Sequence, residues 1–128
     1  MGFYFESEDL MNDQPLDTVL EVKDVFKIFG PSPGKAKKML GEGKNKQDIL
    51  KETGNTVAVN NVSFEVKRGE TFVVMGLSGS GKSTLIRCLN RLHDPSYGEV
   101  KVEGKDVVKL SEEDLRTVRR EKMGMVFQ

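Results

Sequence analysis

The 128 residues leave room for one domain with a real core, and 20 basic side chains against 20 acidic ones give a formal charge of 0, so no global positive field argues for nucleic acid as a partner. Cys88 is the only cysteine and His93 the only histidine, which excludes an internal disulfide and leaves no metal-ligand cluster. No apolar run approaches the length that spans a bilayer, and the N-terminus lacks the basic-then-apolar layout of a signal peptide.

Residues 1–18 read as an acidic, solvated tail: Glu6, Glu8, Asp9, Asp13 and Asp17 carry no basic counterpart there. Met1-Gly2 opens like a myristoylation site, but Glu6 stands where that signal needs Ser or Thr. Val19 to Phe29 reads as an extended segment with Leu20 and Val22 on one side, and Gly30-Pro31-Ser32-Pro33-Gly34 breaks it. The balance then turns basic through Lys35, Lys37, Lys38, Lys44, Lys46 and Lys51. Lys35 to Thr53 is expected to form two short helices, the second capped by Asn45, with Asp48 three residues on and Gly54 as terminator. Val57 to Val66 alternates as a strand, with Val62, Phe64 and Val66 on one face. Arg68-Gly69 turns the chain into a compact apolar run, Thr71 to Met75, expected to be a buried strand.

The next eight residues are the most informative. Gly76-Leu77-Ser78-Gly79-Ser80-Gly81-Lys82-Ser83 satisfies every fixed position of the phosphate-binding loop G-x-x-x-x-G-K-[ST], and an amphipathic helix is expected over Thr84 to Arg91. Such a loop folds into a nest in which Gly76, Ser78, Gly79, Ser80 and Gly81 turn backbone N–H groups towards phosphate oxygens. The following helix adds its positive N-terminal end. Lys82 is expected to reach the β- and γ-phosphates, and the Ser83 hydroxyl to ligate Mg²⁺. A nucleoside triphosphate is the implied ligand. Within the helix Cys88 reads as a buried structural thiol, and His93, just beyond it, as a surface residue without a catalytic role.

Asp94 to Gly98 is a break, and Glu99 to Glu103 a short strand turned by Gly104. Ser111 is expected to cap a helix, with Asp114 closing a capping box and Leu110 and Leu115 forming a hydrophobic staple. Met123 to Phe127 reads as a second apolar strand.

Five segments in order resemble the ATP-binding subunits of ABC transporters: N-V-S-F-E-V-K-R-G-E from Asn61, G-L-S-G-S-G-K-S-T-L-I-R from Gly76, L-N-R-L from Leu89, G-E-V-K-V-E-G from Gly98, and M-V-F-Q ending at Gln128. The resemblance covers about 19–128 and implies an α/β fold, a partial P-loop NTPase core with an antiparallel β subdomain of the ABC ATPase type. It implies that Phe29 stacks on adenine, with Phe26 facing the core, and that Thr84 bonds the α-phosphate. On the same basis Gln128 touches Mg²⁺ and relays nucleotide state, and Lys82 and Gln128 carry the catalytic roles within reach. A narrower resemblance, to ATPases that power uptake of glycine betaine, proline and other quaternary amines, rests on a helical insert at about 31–56. The run K-M-L-G-E-G-K-N-K-Q-D-I-L-K-E-T-G carries it, together with R-L-H-D-P-S-Y-G, L-R-T-V-R-R and K-M-G-M-V-F-Q.

The family works as an ATPase on the cytoplasmic face of the cell membrane, peripheral to a permease, as a nucleotide-sandwich dimer with a second ATPase copy. A substrate-binding protein joins through the complex. The resemblance thus implies ATP and Mg²⁺ as cofactors and an osmolyte as cargo, with ATPases for other cargoes, or a nucleotide-binding module without turnover, as alternatives. The family's Asp-Glu strand end, switch histidine and Leu-Ser-Gly-Gly-Gln signature do not occur in these 128 residues. The chain therefore reads as the N-terminal part of a longer protein, inactive as an ATPase by itself, with apolar faces beside the loop left uncovered.

Overall fold

The computed structural model describes residues 17–127. The acidic leader up to Leu16 and the terminal Gln128 lie outside the described residues. Strand β1 (Thr18–Phe29) runs through the middle of an antiparallel sheet, between β2 (Thr56–Lys67) and β3 (Tyr97–Val102), with the two-residue β4 (Lys105–Asp106) beyond β3. Helices α1 (Pro33–Gly41) and α2 (Lys46–Thr53) fill the connection from β1 to β2, α3 (Lys82–Leu89) follows the phosphate loop, and α4 (Glu112–Lys122) follows β4.

β1 owes its central place to an interrupted apolar pattern. Leu20 and Val22 join the main core cluster; then Asp24 takes a positive φ of 49° and shifts the register between Val22 and Val25. The Ser63 hydroxyl pins this bulge by accepting the Asp24 N–H at 2.8 Å. Beyond it Val25 still faces the main cluster, with Val59, Val66, Val100 and Val102, whereas Ile28 faces a second one. Leu85, Ile86 and Leu89 of α3 and Leu115 and Val118 of α4 complete the main core.

The second cluster belongs to the insert: Ala36, Met39 and Ile49 pack on Ile28 and Val57 of the hairpin. Asn45 caps α2 as expected, its side chain accepting the Asp48 N–H at 2.8 Å, and Gly54 ends the helix with a φ of 71°. Fully buried Asn55 then stitches the insert shut, accepting from the Ser32 N–H at 3.0 Å and donating to the Ser32 carbonyl at 3.2 Å. A Cβ at Gly30 would collide with the Asn55 side chain, so that approach requires glycine.

α4 begins as the sequence suggests, with one change. The Ser111 hydroxyl accepts the Asp114 N–H at 3.1 Å, but the Asp114 carboxylate bonds that hydroxyl, at 2.8 Å, and not the Ser111 backbone. Aspartate is one methylene shorter than the glutamate of a full capping box. Leu110 and Leu115 both join the main cluster. Arg119 ties α4 to the end of α3, donating to the carbonyls of Asn90 and Arg91 at 2.9 Å each.

Two expected strands are corrected. Thr71 to Met75 makes no ladder, and Val73 and Met75 are 68% and 86% exposed. Met123 to Phe127 carries only a bridge at Met125, and Val126 and Phe127 are exposed. A strand needs a ladder of neighbours, and among the described residues these segments form no more than the single bridge at Met125. Phe72 finds local cover instead, stacked on Phe64 with ring centroids 4.5 Å apart.

Candidate functional site

The phosphate loop leads directly into α3. Gly81, at a φ of 95°, is the residue before the helix, and its O accepts the first helical bond from the Leu85 N–H at 2.8 Å. A Cβ there would run into the Ala58 carbonyl of β2, so Gly81 both turns the chain and lets the strand close behind it. Gly79 supplies a second positive φ, 78°, and the Ser80 N–H closes a turn on the Leu77 carbonyl at 3.1 Å. Among the described residues no side chain caps α3, and no acid occupies its first turn. Its leading N–H groups and its positive end therefore face the loop unneutralised.

Lys82 folds back across the loop. Its ammonium donates to the carbonyls of Gly76 at 2.5 Å and Leu77 at 2.7 Å and to the Ser80 hydroxyl at 3.3 Å. Ser83 is exposed and Thr84 half-buried, both in the first turn of α3. An open cavity of about 580 Å³ is lined by Ser78 to Thr84 on one side and by Thr56, Val57 and Ala58 of β2 on the other. Ser78, Gly79, Ser80, Gly81, Lys82, Ser83 and Thr84 thus come together on one cavity wall, whereas Gly76 does not line it. The β2 wall is the part that sequence reading missed: only the closeness demanded by Gly81 hinted at a strand behind the loop.

Phe29 does not line this cavity. It ends β1, paired with the cavity residue Thr56, and is 39% exposed. Lys27 Nζ lies 4.8 Å from its ring centroid and the His93 ring stands perpendicular to it, centroids 5.6 Å apart. His93, expected at the surface, is half-buried, because Arg91 at a φ of 57° reverses the chain and the His93 N–H returns to the Arg87 carbonyl at 3.0 Å. Phe26 is buried, as expected, and meets Tyr97 edge to face at 6.2 Å. Cys88 is fully buried, and that burial pushes its thiol up to about 11, which makes it inert at neutral pH. Among the described residues no helix is long and apolar enough to cross a membrane.

Comparison with known proteins gives this geometry a family. The family model described as ABC transporter matches residues 59–128. The glycine betaine/carnitine transport ATP-binding protein GbuA of Listeria monocytogenes is 53% identical over 109 residues, 85% of this chain and 28% of that protein. The glycine betaine/proline betaine transport system ATP-binding protein ProV of Escherichia coli is 50% identical over 109 residues, 85% of this chain and 27% of that protein. The chain thus spans little more than a quarter of the length of these relatives. Among solved structures, a dimeric bacterial ABC transporter cassette superposes with a TM-score of 0.64 at 29% identity, over 85% of this chain and 38% of that one. With a phosphate loop set between an antiparallel sheet and its helix, and with a family model covering more than half its residues, the chain belongs to the ABC transporter family.

Proposed function

We propose that this chain holds the phosphates of ATP in an importer ATPase that drives uptake of glycine betaine and related quaternary amines. One observation carries the nucleotide part: the uncapped, acid-free start of α3 faces a cavity flanked by the Lys82 ammonium. The donor set fits a polyphosphate, since it offers backbone N–H groups, hydroxyls and a cation but no carboxylate among the described cavity residues. Lys82 would exchange its contacts with the Gly76 and Leu77 carbonyls for β- and γ-phosphate oxygens. Gly79, Ser80 and Gly81 would present N–H groups, and Thr84 would bond the α-phosphate. The Ser83 hydroxyl, a hard oxygen donor, suits Mg²⁺, with Gln128 as its second ligand. Mg²⁺ would offset charge on the β- and γ-oxygens. Phe29 would stack on the base, a contact tolerant of base identity.

Kinship supplies the rest. The names of the relatives support a betaine cargo, and a dimeric cassette among the solved structures supports pairing with a second ATPase copy. A permease, a substrate-binding protein and a peripheral place on the cytoplasmic membrane face belong to the same reading. Ground-state binding does not by itself accelerate hydrolysis, so the 128 residues alone are expected to bind without turning over.

Titration of Mg-ATP against the chain and its Lys82→Ala variant tests the site. A charge-assisted contact to phosphate predicts affinity lower by roughly ten- to a hundredfold in the variant, with the fold intact. Equal dissociation constants would remove the loop from the nucleotide site.

A further inference from the structure

We propose that His93 is a positioning residue for the base-binding ring of Phe29, so that the turn ending α3 sets how the base is held while the start of α3 holds the phosphates. The inference rests on the reading of Phe29 as the base platform and extends it to a residue with no phosphate or base contact of its own.

A phenyl ring at the end of a strand has one free rotation about its own axis and little to stop its tilt. Phe29 is in that situation: it is the last residue of β1 and stands 39% exposed. Two groups restrain it. The His93 ring stands perpendicular to it, with centroids 5.6 Å apart and planes at 86°, and Lys27 Nζ stands over the ring at 4.8 Å. The edge-to-face geometry is the favourable one for two π-systems, positive edge to negative face. Lys27, over the ring, acts as a cation–π partner.

Both restraints are anchored in the same turn. Lys27 Nζ donates to the Asp94 carbonyl at 2.7 Å, and the His93 N–H donates to the Arg87 carbonyl of α3 at 3.0 Å. Arg91, with its positive φ, fixes the turn through the Asp94 carboxylate at 2.8 Å and the carbonyls of Val107 and Leu110 at 3.3 and 2.8 Å. The Ser96 hydroxyl then bonds Ile28 N–H at 2.9 Å, next to Phe29 itself. Through this turn α3 and the end of β1 form one unit, and His93 is the side chain by which the unit grips the exposed ring.

The test compares binding of Mg-ATP and of inorganic triphosphate, which lacks a base, to four forms of the chain: unmodified, Phe29→Ala, His93→Ala and His93→Phe. His93→Ala is expected to raise the ATP dissociation constant roughly three- to tenfold and to leave triphosphate unchanged. His93→Phe, which keeps an aromatic ring, is expected to restore ATP binding. A thermal melt of each form separates loss of the fold from loss of the grip. If Phe29→Ala weakens ATP and triphosphate equally, the platform reading fails and the role of His93 falls with it. If Phe29→Ala discriminates between the two ligands but His93→Ala does not, or His93→Phe fails to rescue, the platform stands and the positioning role is overturned.

Discussion

The β1–β2 hairpin with its insert and the segments beside the phosphate loop have similar apolar content but opposite fates. Ile28, Met39, Ile49 and Val57 are all buried, because the insert folds back on the hairpin that carries it and brings its own partners. Val73, Met75, Leu77 and Val126 are exposed, although Thr71 to Met75 is as strand-like as anything in the hairpin. Burial is therefore set by which neighbours the topology provides and only then by composition. An apolar run with no adjacent strand stays unladdered, with a hydrophobic face in water.

Three substitutions can break or sharpen that contrast. Ile49→Ala empties the centre of a small cluster and is expected to cost about 2–5 kcal/mol in a denaturant titration. A loss below about 1 kcal/mol would mean that the insert has no working core. A smaller effect is expected at Glu103, between β3 and β4, which bonds Arg68 just after the hairpin at 3.2 Å and Lys122 at the end of α4 at 3.0 Å. Lys122, and after it Arg68, hold its carboxyl below the usual glutamate value of 4.5 against the opposing effect of burial. A depressed carboxylate stabilises above its unfolded value and loses that contribution as pH falls through the folded one. The melting difference between the chain and Glu103→Gln should thus be present at pH 7, worth under about 1 kcal/mol at this part-exposed site, and should fade below pH 4.5. A difference that grows on acidification would contradict the pairing. Smallest of all, Met75→Ser should leave stability within about 0.5 kcal/mol while reducing self-association in light scattering. A larger loss would show that Met75 is covered after all.

Local chemistry was legible in the sequence wherever a feature is satisfied within a few residues. Asn45, Gly54 and Ser111 cap or end their helices as their types dictate, and Gly79 and Gly81 of the phosphate loop take positive φ where the nest requires it. Lys82 to Ser83 was expected in the loop and instead already opens α3, since the helix can start as soon as Gly81 has made the turn. What escaped were the long-range terms. Thr56 to Ala58 walls the cavity because of a register set across the whole insert, and no short window encodes that. His93 reads as a surface residue until the φ of Arg91 reverses the chain towards Phe29. The buried strand expected at Thr71 failed for the opposite reason: its pattern is sound, but a pattern is only half of a strand pair.

The Asn55 stitch has a consequence for how such a domain can vary. Phe29 and Thr56 stay paired at the mouth of the insert, and Asn55 and Ser32 tie its two ends together. The sheet consequently senses a closed hairpin whatever length of chain hangs beyond the tie. Entropy charges only slowly for lengthening such a loop, so the exposed part of this segment is a graft point, where sequence can be exchanged or extended as long as Ala36, Met39 and Ile49 still cover Ile28 and Val57 beside Thr56.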